Sequence, residues 1–389
     1  MQKYNIMRKD DMTVSFCNSM SNQIKPNKHL KGKVYITYNI CETCNLNCLF
    51  CCINSSYHGK KYISKENSDI ILNKIKEKFN IDTIFIMANE PTTQPEVANY
   101  IMKYAIKNNI KIKIVSNGFA PIKVYEQMLN DIDPSKLDKI TISIDSMDEN
   151  IHNKIRNNDK ALSNAIRTIK YLKSKNYNVR VQMTICEINY DTIIDSVKTL
   201  NKEYKITDFA FHCMSVSDRA RQNKLNHLNA VQWRKLVTNL FKLKPTLNEV
   251  KEFSVPIIAM TENELLKLYF SNDKKLLEKF LKREPLKLCP AINGNNMYLK
   301  ATNDDAIISR CQILFDNVGY YSLKYDYQKN QFIKNSKNND FEFIKKSKTL
   351  CPVILNELNR ENDYEIDNNG NKLYYVCRTL IANEKDLDF

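Results

Sequence analysis

Predicted strands and helices alternate six times between residues 33 and 243, and this alternation limits the folds that the chain can adopt. Segments rich in β-branched and aromatic residues, which is typical of strands, lie at 33–40, 82–87, 110–118, 139–145, 178–185 and 206–214. Helical spacing of apolar residues follows each of them, at 64–79, 95–109, 121–130, 148–175, 191–203 and 229–243. Strands that alternate with helices run parallel and are joined by helical crossovers. The chain is therefore predicted to be an α/β protein with either a doubly wound sheet or a partial barrel.

The alternation stops near residue 245. Residues 246–288 have mostly helical spacing, and the segments 295–301 and 306–313 flank a polar turn, as the two strands of a β-hairpin do. We therefore expect a division of the chain into an N-terminal extension (1–32), a parallel α/β domain (33–245) and a smaller α+β domain (246–389).

The bulk composition excludes several classes of protein. No run among the 389 residues is apolar for long enough to span a membrane, and residues 1–16 lack the apolar core of a signal peptide. A cytoplasmic location is the default, and cytosolic thiols stay reduced. The twelve cysteines are thus predicted to be metal or cluster ligands, or buried thiols. The net charge is +15, but the lysines are spread along the chain, which indicates diffuse charge rather than a nucleic-acid-binding stripe.

Five of the cysteines lie within residues 37–52, directly after the first predicted strand. Cys44, Cys48 and Cys51 have the spacing C-x3-C-x2-C. Three thiolates can hold three irons of a [4Fe–4S] cube, which leaves the fourth iron open to another ligand. The alternative is a tetrahedral zinc site, for which Cys41 and Cys52 add enough thiolates to choose four. We expect Cys41 and Cys52 not to be ligands.

Polar motifs also lie at or just after the ends of the next three predicted strands. They are the sequences ANEP at 88–91, SNG at 116–118 and SID at 143–145. In both parallel α/β architectures the ligand binds at the carboxyl ends of the strands. The sequence therefore predicts one site, formed by the cysteine loop and these three turns.

These motifs, in this order, resemble the radical S-adenosylmethionine (SAM) superfamily over residues 33–215. Phe50 precedes the last cysteine as the family prefers, ANEP stands where it has Gly-Gly-Glu-Pro, and SNG resembles its Thr-Asn-Gly. The two usual glycines are Ala88 and Asn89 here, a departure that affects the fit of the methionine end of SAM.

The resemblance implies a partial (β/α)6 barrel similar to a TIM barrel. It also implies a [4Fe–4S] cluster on Cys44, Cys48 and Cys51, with SAM bound to the open iron. In this family the cluster cleaves SAM reductively to methionine and a 5′-deoxyadenosyl radical, which abstracts hydrogen from a substrate. An electron donor such as flavodoxin or ferredoxin is then required.

The resemblance further assigns residues around SAM. Glu90 is expected to accept a hydrogen bond from the methionine amino group, and Arg156 to meet the methionine carboxylate. Ser143 and Asp145 lie two apart on one strand face and are expected to contact the ribose hydroxyls. The alternatives are a solvated Glu90, a strand-end cap at Ser143 and Asp145, and a surface Arg156.

Several other residues are candidates for the same site. Phe50 and Asn117 are cofactor-binding candidates, although Asn117 alternatively only holds its turn. Further candidates for pocket or substrate contacts are Gln182, Thr184, His212 and Arg219. No catalytic acid or base is assigned from the sequence.

The C-terminal region contains four further cysteines, Cys289, Cys311, Cys351 and Cys377. Their placement around a predicted hairpin resembles the SPASM or twitch extension of radical SAM enzymes, which implies one auxiliary [4Fe–4S] cluster. Four unrelated thiols, or a zinc ion on the same four ligands, are the alternatives.

The resemblance favours a peptide or protein as the substrate, since most SPASM-type relatives modify peptides. The alternative within the same enzyme class is dehydrogenation or rearrangement of a small molecule such as a sugar or nucleotide. The alternative from another class is a zinc-stabilised nucleic-acid-binding protein, which the basic charge favours.

Overall fold

The structure is a computed structural model. It describes residues 33–51, 53, 55, 58–59, 61–87, 89–214, 218–226, 228–254, 257–269, 272–281, 296–309, 322–333 and 364–377. Within these residues, no helix combines the length and the apolar character needed to cross a membrane.

Six parallel strands, adjacent in chain order, form the centre of the main sheet. They are β1 (Lys33–Asn39), β2 (Asn80–Ile86), β3 (Lys111–Ser116), β4 (Leu137–Ser143), β5 (Val179–Ile185) and β6 (Asp208–Cys213). The predicted order and direction of the strands are confirmed.

Helices connect the strands as crossovers. They are α1 (Lys65–Lys76), α2 (Pro95–Lys107), α3 (Ile122–Met128), α4 (Glu149–Arg156), α5 (Ala161–Ser174) and α6 (Ile193–Tyr204), followed by α7 (Asp218–Gln222) and α8 (Ala230–Leu243). The helical stretch predicted at 148–175 is two helices, because Asn157 adopts the left-handed conformation (φ 54°) that ends α4.

The hydrophobic core lies between the strands and the helices. On β3, Ile112 and Ile114 are fully buried, whereas Lys113 lies between them on the other face. The Tyr38 side chain of β1 also points toward the helices, since its hydroxyl lies 2.9 Å from Ser68 Oγ of α1. The face of the sheet away from the helices is therefore the interior of the partial barrel, and it carries the polar residues.

Strands from the C-terminal third extend the same sheet. β7 (Glu252–Ser254) pairs parallel with β6, and β9 (Asn296–Ala301) pairs parallel with β1. Antiparallel strands β10 (Asp305–Ser309), β11 (Ser322–Asp326) and β12 (Gln331–Ile333) follow outward from β9. The predicted hairpin is confirmed as β9 and β10. The domain boundary near residue 245 stays a prediction.

A second, three-stranded sheet contains β8 (Ile257–Thr261), β13 (Tyr364–Ile366) and β14 (Lys372–Cys377), in the order β13-β14-β8. Helices α9 (Glu262–Tyr269) and α10 (Lys274–Leu281) follow β8. The expectation of mostly helix over 246–288 was wrong at β7 and β8. Both are short strands that join an existing edge, so pairing partners rather than local periodicity determine them.

A network of charged side chains closes the amino-terminal end of the barrel. Lys139 Nζ lies 2.5 Å from Asp208 Oδ2 and 2.6 Å from Glu252 Oε2, and Arg180 binds the same two carboxylates at 2.6 Å each. Burial favours the neutral form of Glu252, but Arg180 and Lys139 outweigh it and hold the pKa of this carboxyl below its usual value. The network ties β4, β5, β6 and β7 together at the end opposite the cysteine loop.

Asp208→Ala is expected to lower the free energy of unfolding by about 3–5 kcal/mol, because buried Arg180 and partly buried Lys139 lose one of the two carboxylates that they share. Since the pKa of Glu252 is lowered in the folded state, its contribution is present at neutral pH and lost as the pH falls through the acid range. Denaturant unfolding measures both effects. Glu96→Ala, which breaks the exposed pair of Lys65 and Glu96, is the control. Equal shifts for the two variants would contradict the role of the network.

Candidate metal centre

The loop between β1 and α1 crosses the carboxyl ends of the strands and is held at several points. Its two ends are joined by hydrogen bonds from Glu42 N to Lys61 O (2.8 Å) and from Ile63 N to Ile40 O (3.1 Å). Farther along, Glu90 N donates to Thr43 O (3.1 Å) and Leu49 N donates to Ile155 O (2.9 Å). The loop is thus fixed to the end of β2 and to α4, which places its cysteines at the predicted edge of the sheet.

Three thiols of this loop lie near one another. Cys44 and Cys48 are buried, and Cys51 is half-buried. Burial raises the pKa of both buried thiols, and negative charge on Cys51 would raise it further. Within the described residues, no three Cys, His, Asp or Glu side chains converge on a single point that could hold one metal ion.

The donor set fits a [4Fe–4S] cube. In such a cube each thiolate holds a different iron, so the sulfurs need to be neighbours without meeting at one point. The Cys41 thiol contacts protein oxygens. Its Sγ lies 3.6 Å from Thr43 O, 3.7 Å from Glu90 O and 3.5 Å from Thr93 Oγ1. Cys52 lies outside the described residues. The predicted ligand set, Cys44, Cys48 and Cys51, stays a prediction.

Arg156 lies beside the loop with its charge buried. Helix α4 is capped by Asp148, whose side chain accepts from Ile151 N at 3.1 Å, and the helix ends at Arg156. Arg156 Nε lies 2.7 Å from Asp145 Oδ2, and Nη1 lies 3.8 Å from Cys48 Sγ. Burial opposes the charge, but Asp145 and Cys48 raise the pKa of Arg156 above its ordinary value. The alternative of a surface arginine was wrong, since Arg156 is 6% exposed.

Asp145 is fully buried just beyond the end of β4. Its Oδ1 accepts from Thr184 N at 2.9 Å, and its backbone N donates to His152 Nδ1 at 3.1 Å. Burial raises the pKa of the Asp145 carboxyl, while Arg156 opposes the rise. Both carboxylate oxygens are thus engaged by the protein. The ribose contacts assigned to Asp145 and to buried Ser143 stay predictions.

Glu90 joins the ends of β2 and β3. Its Oε1 accepts from Thr92 N (3.1 Å), Thr92 Oγ1 (2.8 Å) and Ser116 Oγ (2.9 Å), and its Oε2 accepts from Asn117 N (2.7 Å). Burial raises the pKa of the Glu90 carboxyl, and these donors oppose the rise. The alternative of a solvated glutamate was wrong, since the residue is 1% exposed. Oε1 accepts three of these hydrogen bonds and Oε2 accepts one, so Oε2 is the less occupied oxygen and the one better placed to accept from an ammonium group.

The SNG turn after β3 contacts the cysteine loop. Asn117 Nδ2 lies 2.7 Å from Asn45 Oδ1 and 3.7 Å from Cys44 Sγ, while its Oδ1 accepts from Phe119 N at 2.9 Å. Gly118 has φ +78° and packs so closely on α5 that a Cβ would lie 2.8 Å from Ala165 Cα. The turn therefore requires glycine for both its conformation and its packing.

Asn89 occupies one of the positions where the resembled family has glycine. It adopts φ 51°, a left-handed conformation that asparagine tolerates better than most residues. Its Nδ2 donates to Cys41 O, and its Oδ1 accepts from Ser55 Oγ. The substitution thus keeps the backbone conformation and adds two contacts to the cysteine loop. Ala88 lies outside the described residues.

The candidates from β5 and β6 line the interior near the same end. Thr184 pairs with His212 across the two strands, and Gln182 and Thr184 are half-buried. Burial and the charge of Arg180 lower the pKa of His212 to about 4, so its imidazole is neutral at pH 7. Arg219 is 7% exposed and donates through Nη2 to Ser55 O. Its buried Nε and Nη1 have no hydrogen-bond partner among the residues that the structure describes.

The sequence analysis missed several residues that support the site. Ser116 and Thr92 hold Glu90, Asn45 holds Asn117, and His152 accepts from the backbone of Asp145. Ser116, Thr92 and Asn45 lie within or next to the quoted motifs, so proximity in sequence was a usable signal. His152 lies between Asp145 and Arg156 in the sequence, so its position was a signal as well, although its contact with the Asp145 backbone depends on the turn between β4 and α4.

The predicted auxiliary cluster lies largely outside the described residues. Cys289, Cys311 and Cys351 are not among them. Cys377 is the last residue of β14, and only its backbone is described. The second cluster stays a prediction.

Comparisons with known proteins match the part of the chain that contains this loop and the parallel strands. Residues 38–200 match the sequence model of the Radical SAM superfamily. The antilisterial bacteriocin subtilosin biosynthesis protein AlbA of Bacillus subtilis (strain 168) is 26% identical over 213 residues, which are 52% of this chain and 44% of AlbA. The matched part therefore spans less than half of that relative.

Solved structures share the fold. SuiB of Streptococcus suis bound to S-adenosylmethionine gives a TM-score of 0.53 at 16% identity, over 76% of this chain and 64% of SuiB. SuiB bound to its precursor peptide SuiA gives 0.52 at 15% identity, over 74% and 60% of the two chains. The protein anSMEcpe with bound AdoMet gives 0.52 at 17% identity, over 75% and 77%. These likenesses confirm the predicted α/β class and partial barrel.

Gly118→Ala is expected to destabilise the protein and to displace Asn117, because the new Cβ would clash with Ala165 and Ile142 at a positive φ. The matched control is Gly370→Ala, where φ is +81° but no atom lies within 4 Å of the added Cβ. Both variants lose about 1–2 kcal/mol from backbone strain, and Gly118→Ala should lose roughly 1–3 kcal/mol more from overpacking. Denaturant unfolding gives both values, and equal losses would contradict the close packing of the SNG turn.

Proposed function

Starting from residues 38–200 as a radical SAM domain, we propose that this chain binds a [4Fe–4S] cluster and SAM and modifies a peptide or protein. When bound and reduced by one electron, the cluster and SAM supply methionine and a 5′-deoxyadenosyl radical, which takes a hydrogen atom from the substrate. The observation that carries the proposal is the set of three neighbouring thiols in a loop fixed across the strand ends. Everything else in the site is arranged around that loop.

The chain's own residues would hold the cofactors as follows. Cys44, Cys48 and Cys51 would give up their protons to bind iron. Because burial raises the pKa of Cys44 and Cys48, cluster assembly should be favoured at higher pH. Oε2 of Glu90, the less occupied oxygen, suits the amino group of SAM. Asn117 contacts the cysteine loop, and Phe50 lies within it. Ser143 and Asp145 remain the residues proposed for the ribose.

Similarity to a bacteriocin biosynthesis protein and to a protein solved with a precursor peptide supports a peptide substrate. AlbA is named as a bacteriocin biosynthesis protein, and SuiB has been solved with a precursor peptide. The partial barrel offers a polar interior at the carboxyl ends of its strands, where Thr184, His212 and Arg219 lie. Neutral His212 can donate or accept a hydrogen bond there without placing a second charge in the pocket.

We further propose one auxiliary [4Fe–4S] cluster on Cys289, Cys311, Cys351 and Cys377. The hairpin β9–β10 lies between the first two of these cysteines in sequence, as the SPASM or twitch resemblance requires. A low-potential donor such as flavodoxin or ferredoxin would supply the electron. The reduced thiols suit a cytoplasmic setting.

Anaerobically reconstituted protein, given dithionite and SAM, is expected to produce 5′-deoxyadenosine. Cys48→Ala should abolish the product, because one iron loses its protein ligand. Cys186→Ala, at a buried free cysteine outside the loop, is the matched control and should retain the product. Chromatography of the nucleoside products checks the result. A colourless protein that contains stoichiometric zinc and forms no 5′-deoxyadenosine would contradict the proposal.

Iron and sulfide analysis tests the auxiliary cluster separately. Each cube holds four irons, so wild-type protein should contain about eight irons per chain. Cys377→Ala should contain about four and keep the cluster of the loop. About four irons in both proteins would show that the loop cluster stands alone.

Arg219 is expected to bind a carboxylate or carbonyl of the peptide substrate, because two of its buried donors have no partner within the described part of the chain. With a precursor peptide encoded beside the gene as substrate, Arg219→Ala should raise KM roughly 10-fold to 100-fold, the value of one hydrogen bond to a charged group. The control is Arg221→Ala, on the exposed side of the same short helix. An unchanged KM in Arg219→Ala would remove this residue from the substrate site.

A further inference from the structure

Two side-chain nitrogen donors lie against two of the three loop thiols. Arg156 Nη1 is 3.8 Å from Cys48 Sγ, and Asn117 Nδ2 is 3.7 Å from Cys44 Sγ. Both residues are buried, at 6% and 9% exposure, so water screens these contacts poorly. One donor comes from the end of α4 and the other from the turn after β3, so the two sulfurs are approached from different elements.

The guanidinium of Arg156 is held in place on several sides. Asp145 Oδ2 binds its Nε at 2.7 Å, and Phe50 lies with its ring centroid 5.4 Å from the guanidinium carbon. Asp145 is itself fixed by Thr184 N at 2.9 Å. The positive charge therefore cannot move away from Cys48 without breaking a buried ion pair and a cation–π contact.

A fixed positive charge beside Cys48 Sγ would affect the reduction potential of a cluster bound there. Reduction adds one electron to the cluster and no proton, so the negative charge at the ligand sulfurs increases. Hydrogen bonds to the sulfurs and nearby net charge are among the factors that set the potential of an iron–sulfur cluster. A buried cation at Cys48 Sγ favours the reduced state, and a buried anion next to that cation opposes it.

We propose that Arg156 sets the reduction potential of the loop cluster, with Asp145 as its opposing charge. This inference rests on the proposed function, since it requires a cluster on Cys44, Cys48 and Cys51. It gives Arg156 a role distinct from the SAM carboxylate contact expected from the sequence, because two of its three nitrogens are already engaged by Asp145 and Cys48. Arg156 is thus a positioning and electrostatic residue for the cluster.

The proposal makes predictions of opposite sign for the two partners. Arg156→Gln removes the cation and should lower the potential, so that the cluster becomes harder to reduce. Asp145→Asn removes the anion and should raise it. Arg156→Lys keeps the charge and should remain closer to wild type than Arg156→Gln does. A purely structural role would give no reason for the two partners to shift the potential in opposite directions.

The test is a potentiometric titration of anaerobically reconstituted protein without SAM, followed by electron paramagnetic resonance of the reduced cluster. Proteins are compared only where the iron content of the loop cluster matches wild type. Arg221→Gln is the control, because this exposed arginine loses the same charge at the surface. Expected results are a lower potential in Arg156→Gln, a higher one in Asp145→Asn and no change in Arg221→Gln.

An unchanged or higher potential in Arg156→Gln overturns the proposal. If Arg156→Gln does not retain its cluster, Asp145→Asn decides, and an unchanged or lower potential there overturns the proposal as well. These outcomes differ from failure of the proposed function, in which wild-type protein would hold no cluster or would form no 5′-deoxyadenosine.

Discussion

The buried ion pair between Arg156 and Asp145 is the interaction on which the site depends. It joins the end of β4 to the end of α4, and through Arg156 Nη1 it reaches the sulfur of Cys48. Two opposite charges can remain buried together because each compensates the other, and Thr184 N donates a further hydrogen bond to Asp145 Oδ1. The cysteine loop is therefore attached to the barrel by electrostatics as well as by its backbone.

The two ends of the barrel use charge for different purposes. At the amino-terminal end, Lys139 and Arg180 each contact both Asp208 and Glu252, so the charges of this network compensate one another. At the carboxyl end, beside the cysteine loop, two donors of Arg219 have no partner among the described residues. Stability and binding are thus separated along the axis of the strands, as the general location of sites in parallel α/β folds would suggest.

Much of this arrangement could be predicted from the sequence, because the relevant signals are local. β-Branched and aromatic content identified the six central strands, helical spacing identified their crossovers, and the motifs at the strand ends identified the edge that carries the site. Features that depend on tertiary contacts could not be predicted in this way. The break at Asn157 ends α4 at Arg156, and the left-handed Asn89 fits a position where the resembled family has glycine. The strands β7 and β8 are too short to have a period of their own.

The central claim is that three thiolates hold a cube of iron and leave one iron open to SAM. Mössbauer spectroscopy of protein reconstituted with iron-57, recorded with and without SAM, tests it most directly. The account predicts that SAM changes the signal of a single iron of the loop cluster and leaves its other irons as they were. Iron signals that do not respond to SAM, or a protein whose loop holds a lone metal ion, would contradict it.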